Sequence, residues 1–212
     1  TSAIFSKRQL LEKMAWFWDN HFNTDQFKTG SPASELEENR RFRTHALGKF
    51  RDLLQVSATS PSMMIYLDNR TSIREEPNEN YARELMELHT LGVGGGYSEK
   101  DVSEVARVLT GWSLGASPQG PEFRIFDENH DTGEKTVLGQ TFGSESALAD
   151  GNQLLEILAS HPATATHICS KLLQYFVADV PESGSVNGCA AVFQSSDGDI
   201  AEVVAWILDS PA

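Results

Sequence analysis

Two sets of side chains in this sequence have the types and spacing that chemistry needs. Asn80, Glu84 and Glu87 stand at i, i+4 and i+7 of one predicted helix, so their polar groups share a stripe. Arg107, on the next predicted helix, is placed to reach Glu84 or Glu87 across an antiparallel interface. The second set is the run Asp127-Glu128-Asn129-His130-Asp131-Thr132-Gly133-Glu134-Lys135. Together the two sets suit hydrolysis, with Glu84 or Glu87 as general base and Arg107 or Lys135 stabilising a developing anion. His130 and Asp131 would be the acid or, with Asp127, the ligands of a cation. The plainer reading makes Glu84, Glu87 and Arg107 an ion-pair network that sets helix register, and the loop ordinary turn chemistry.

Catalytic templates do not strengthen the enzymatic reading. There is no Glu-x-x-His pair of the helical di-metal type, no His-Glu-x-x-His and no Gly-x-Ser-x-Gly. Glu87 and His89 are two residues apart, about 200° around a helix, and cannot share a ligand face. Asn20 and His21 close a predicted helix, where a polar pair can project into a cleft; a histidine capping the last carbonyls is the simpler expectation. The glycines Gly94 to Gly96 follow a helix rather than a strand, so they are weak evidence of phosphate binding.

These residues need elements to position them, and the apolar periodicity is helical almost throughout. Leu10, Leu11, Met14, Phe17, Trp18 and Phe22 mark a helix over 7–22. A long helix is expected over 34–56, then a short one from Met63 to Leu67 after Ser60-Pro61. Asn78 is the expected N-cap of the central helix, which Gly92 ends; Ser98 and Asp101 have the spacing of a capping box for the next, whose inward face counts Val102, Val105, Ala106, Leu109 and Trp112 and which Gly111 stops. Glu122 to Phe126 alternates polar and apolar side chains, and Thr136-Val137-Leu138 offers a return strand, predicting one small β-hairpin. Helices follow over 148–160, 162–180, 186–193 and 200–208. The expectation is an all-α, multi-helix single domain over 1–212 with a hairpin insertion at about 121–140.

Composition narrows the partners. The chain has 212 residues, 40% hydrophobic and 22% charged, which is ordinary globular composition without a membrane-spanning run. Its net charge of −13 is uneven: residues 1–75 hold 11 basic and 9 acidic side chains, residues 76–212 hold 6 and 21. Such a surface repels nucleic acid and anionic membranes, leaving a protein or polymer partner. Cys169 and Cys189 fit no metal or redox spacing and form no framework, so both are expected to act as small hydrophobes in helices, their pairing left open.

Trp16-Phe17-Trp18-Asp19-Asn20-His21-Phe22, the stretch Asn78 to Gly92, Asp101-Val102 through Thr110-Gly111-Trp112, His130-Asp131 with Lys135 to Gly139, and His161 to Ala165 resemble the bacterial family catalogued as domain of unknown function 1800. The resemblance spans nearly the whole chain. It implies a piece of a longer, exported or envelope-associated (periplasmic or secreted) bacterial protein, and no established activity. The expected function is a binding or scaffolding module that uses the Gly94 to Gly96 loop, the hairpin tip and exposed aromatics, with the hydrolase as the alternative.

Overall fold

The computed structural model describes residues 5–118, 120–143 and 146–210. They form a mainly helical fold with two small antiparallel hairpins: α1 (Gln9–His21), α2 (Gln26–Thr29), α3 (Pro32–His45), α4 (Phe50–Ala58), α5 (Pro61–Tyr66), α6 (Glu79–Glu84), α7 (Glu99–Val108), β1 (Trp112–Ser117), β2 (Gly120–Ile125), β3 (Lys135–Val137), β4 (Gln140–Phe142), α8 (Ala147–Ser160), α9 (Pro162–Phe176), α10 (Ser183–Ser195) and α11 (Ile200–Asp209). Helix starts follow local chemistry. Ser31, Ser60, Asn78, Ser146 and Asp199 each accept a backbone N–H of the first turn, and Ser98 with Asp101 completes a capping box.

The predicted long helix over 34–56 is in fact two helices. The chain turns at Ala46–Lys49, where Gly48 O accepts Ile200 N at 3.0 Å and Phe50 N donates to Gly198 O at 2.9 Å. Pairing with the loop before α11 replaces intrahelical bonds at a glycine that helices tolerate poorly. The predicted single hairpin is two. Gly111, at φ 82°, follows the end of α7 where the helix is expected to stop, but Trp112, counted with that helix's inward face, opens β1, and β1 pairs with β2 in register Trp112 to Ile125. Lys135–Val137 pairs with Gln140–Phe142 rather than with β2.

The core is a continuous cluster of aromatic and aliphatic side chains drawn from the helices, Trp112 and the second hairpin. Its buried indoles are hydrogen-bonded: Trp18 Nε1 donates to Ala46 O at 2.9 Å, and Trp112 Nε1 to Ala147 O at 2.8 Å. Trp112 lies flat on α8 because residue 151 is glycine; a Cβ there would stand 2.1 Å from the indole. Cys169 of α9 and Cys189 of α10 are joined in a buried disulfide with Cα atoms 5.7 Å apart, so they are a cross-link and not the separate hydrophobes expected.

The central helix changes pitch within the Asn78 to Gly92 stretch. After Glu84, residues Leu85–Thr90 form a π-helix: Leu91 N reaches back five residues to Met86 O at 2.9 Å, and Thr90 Oγ1 donates to Leu85 O at 2.7 Å. Such wide turns are rare and concentrate at functional sites, because the extra residue re-aims the side chains that follow. Here it delivers His89 to the core side, 4% exposed.

Candidate ligand pocket

The residues expected to do chemistry are placed in two different settings. Arg107 does not pair with Glu84 or Glu87. Its Nε and Nη2 donate to Asp131 at 2.7 and 3.2 Å, and its Nη1 to Glu104 at 2.8 Å. The hydrogen bond from Arg107 holds the Asp131 carboxyl below the usual carboxylate range. The cation that bridges the central helices is Arg83, bound through two hydrogen bonds, 3.0 and 2.7 Å, to Glu99. Glu84 and Glu87 stay half-buried, and burial, with Glu87 beside it, raises the Glu84 carboxyl.

His130 and Lys135 are sealed. His130 is 0% exposed, with Nδ1 donating to Thr110 O at 2.9 Å and Nε2 against Asp150 Oδ2 at 3.3 Å. Lys135 Nζ meets the same Asp150 oxygen at 3.1 Å and donates to Asp131 O. Asp127 Oδ1 accepts Ala147 N at the start of α8. The 127–135 loop is thus stitched to α7 and α8. The cation site expected from Asp127, His130 and Asp131 does not form: each side chain is committed elsewhere, and among the described residues no group of three His, Cys, Asp or Glu is arranged to hold a metal.

The polar groups left without partners lie elsewhere. His21, at the end of α1, does not cap its own helix. Its Nε2 donates to His89 O at 3.1 Å, in the π-helix, which leaves Nδ1 as a buried lone pair with no partner. His167 of α9 does the same one residue earlier, Nε2 donating to Leu88 O at 3.2 Å. The His89 ring packs 6.3 Å from His21, and its Nδ1 is also unpartnered. His167 fits over the π-helix because residue 92 is glycine: with φ 83° it takes the left-handed turn, and a Cβ there would stand 2.8 Å from His167 Nδ1.

In front of this cluster is a pocket of about 360 Å³ lined by Phe17, Asn20, His21, Lys171, Gln174 and Tyr175. His167, Lys171 and Tyr175 occupy i, i+4 and i+8 of α9, so one helix face supplies an imidazole, an ammonium and a phenol ring. Phe17 and Tyr175, 5.4 Å apart between ring centroids, form an aromatic wall. Lys171 is half-buried and, among the described residues, has no carboxylate partner. Burial lowers its ammonium. Burial, followed by the charges of Lys171 and His89, drives His21 well below the usual imidazole range, and His89 falls to about 3, again mainly through burial. His167 is lowered for the same reason. The result is three imidazoles held neutral behind one unpaired ammonium, in a protein whose net charge is −13.

Of these residues, Asn20 and His21 are expected from sequence at a helix end, with His21 as a cap, and the spacing of His89 from Glu87 takes it off the carboxylate face without saying which face it joins. His167 and Lys171 were missed. The legible signal was their spacing with Tyr175 on an otherwise apolar helix. A second place with orphaned polar atoms is Glu38 of α3, 5% exposed, whose Oε2 accepts Thr24 Oγ1 at 3.3 Å while Oε1 and the nearby Tyr81 hydroxyl have no partner. Burial pushes the Glu38 carboxyl up to about 8, so it is protonated and neutral at pH 7.

A family model described as "Protein of unknown function (DUF1800)" matches residues 1–212. Neither a curated protein nor a solved structure matches the chain.

Proposed function

The chain belongs to the DUF1800 family, and we propose that it serves there as a binding module whose site is the pocket between α1 and α9. One observation carries this reading: His21, whose buried Nδ1 has no partner among the described residues, lines a pocket that also holds Lys171, which has no carboxylate partner there. Buried polar atoms without partners are rare in folded proteins, and a ligand is one way of satisfying them. Two of the segments that carried the family resemblance in sequence, 16–22 and 78–92, meet at this point through the His21–His89 hydrogen bond. The buried Cys169–Cys189 disulfide supports an oxidising compartment, and hence export to the bacterial envelope or beyond. The continuous core supports one domain over the chain. Exposed Trp16, one turn from Asn20, offers adjacent apolar surface to a protein or polymer bearing the ligand group. No observation favours the hydrolase alternative, whose His130 and Lys135 have no route to solvent.

A ligand-observed NMR screen of small fragments of all charge types tests the reading. Hits are expected to lose binding in Asn20→Trp, whose indole fills the pocket mouth. If no fragment is displaced by that substitution, the pocket is not a binding site.

A further inference from the structure

We infer that the ligand of this pocket is a small monocarboxylate carrying an apolar body, its carboxylate paired with the Lys171 ammonium and its body against Phe17 and Tyr175. The inference rests on the pocket being a binding site and adds the class of ligand. Its first ground is charge. The titratable groups around the site are Lys171, His167 and the neutral Tyr175 phenol from α9, His21 from α1 and His89 from the π-helix, with no carboxylate in the lining, and the charges that perturb His21 come from Lys171, His89 and His167. An ammonium taken out of water without a counter-ion is unfavourable, and an anion restores the missing partner.

The second ground is the size of that charge. α1 contributes its C-terminal turn to the pocket, an end that carries roughly half a negative charge, against the full positive charge of one lysine. No arginine lines the pocket. This balance suits a monoanion and disfavours a phosphate dianion, which needs more donors. A metal cation fits worse. Lys171 repels it, and the imidazoles of His21 and His167 are already turned by their bonds to the Leu88 and His89 carbonyls without converging on one point.

The third ground is shape. A volume of about 360 Å³ with an aromatic wall lies within the range of small-molecule sites, and half of the lining is apolar or amphipathic ring and stem. Gln174 and Asn20 at the rim can donate to the second carboxylate oxygen.

Calorimetric titration with phenylacetate, its neutral isostere phenylacetamide, inorganic phosphate and zinc chloride distinguishes the classes. Phenylacetate is expected to bind about tenfold or more tightly than phenylacetamide, and Lys171→Met to abolish that preference, with Lys171→Arg restoring part of it. Repeating the titration in buffers of different ionisation enthalpy should show proton uptake on binding, because the arriving anion favours the charged forms of Lys171 and His167, both lowered by burial; a merely structural lysine would not produce it. Lys171→Met removes an unpaired charge, so it should melt at or above the wild-type temperature and stay interpretable. Equal affinity for the amide, tighter binding of phosphate, or zinc binding lost in His21→Ala each overturns the carboxylate assignment while leaving a binding pocket in place. Failure of all four probes overturns the carboxylate assignment too, whereas the fragment screen alone decides whether the pocket binds anything.

Discussion

Two buried polar clusters lie in this fold, and they are built on opposite terms. Around Asp150, every group has a partner: His130 and Lys135 share its carboxylate, Thr110 O takes the other imidazole N–H, and Arg107 with Asp131 closes the surface side. Around His21, the imidazoles use one nitrogen to fasten α1 and α9 to the π-helix, and the other nitrogens of His21 and His89 face nothing. Both sets contain histidine and lysine. The difference is the carboxylate, present in the first and missing from the second. A compensated cluster holds the hairpins and α8 together; an uncompensated one stands behind the pocket between α1 and α9.

The comparison is most sharply broken by removing the carboxylate. Asp150→Ala leaves the Lys135 charge and the His130 ring buried without their acceptor and should lower unfolding stability by about 3–5 kcal/mol, read from urea denaturation. A loss under about 1 kcal/mol would mean that the cluster is not the lock described. Glu38 tests the uncompensated case from the acid side. Its folded carboxyl titrates near 8 and its unfolded one near the ordinary value, so unfolding releases a proton between those limits and stability falls as pH rises through them. Glu38→Gln should therefore gain up to about 3 kcal/mol at pH 7, a gain that disappears below about pH 4.5. An unchanged difference across that range would show the carboxyl to be hydrated and ionised.

Just below pH 6.5, the smallest effect concerns His89. It is neutral in the fold down to about pH 3, whereas the unfolded imidazole charges near 6.5, so the unfolded state binds the extra proton and stability drops as pH falls through that window. His89→Phe keeps an aromatic ring beside Phe22 and Tyr81. It should remove up to about 1.4 kcal/mol of acid destabilisation per pH unit below 6.5. Parallel stability curves for the two proteins would sharpen the contrast differently, by showing that water reaches the ring.

Much of the fold was legible because it depends on short-range rules. The caps at Ser60, Asn78, Ser98 and Asp199 are set by side chains bonding N–H groups one turn away, and the helix faces by the spacing of apolar residues. The breaks were not legible. The interruption at Ala46–Lys49 exists because residues 198–200 bind it, and the hairpin pairing exists because Trp112 is held under α8. Spacing placed Arg107 to reach Glu84 or Glu87, and only packing chose Asp131.

By itself, then, the sequence determined a helical fold with a small β portion, the ends of most helices, the uneven charge and the family to which the chain belongs. Tertiary structure decided that Cys169 and Cys189 pair, that His130 and Lys135 of the 127–135 loop are sealed, and that His21, His89, His167 and Lys171 assemble across three elements. The physical reason is range: capping and periodicity act within a turn or two, whereas the partner of a buried charge is chosen by whatever the completed fold brings within 3 to 4 Å. The missing carboxylate beside Lys171 is a property of that assembly, invisible until the helices are packed.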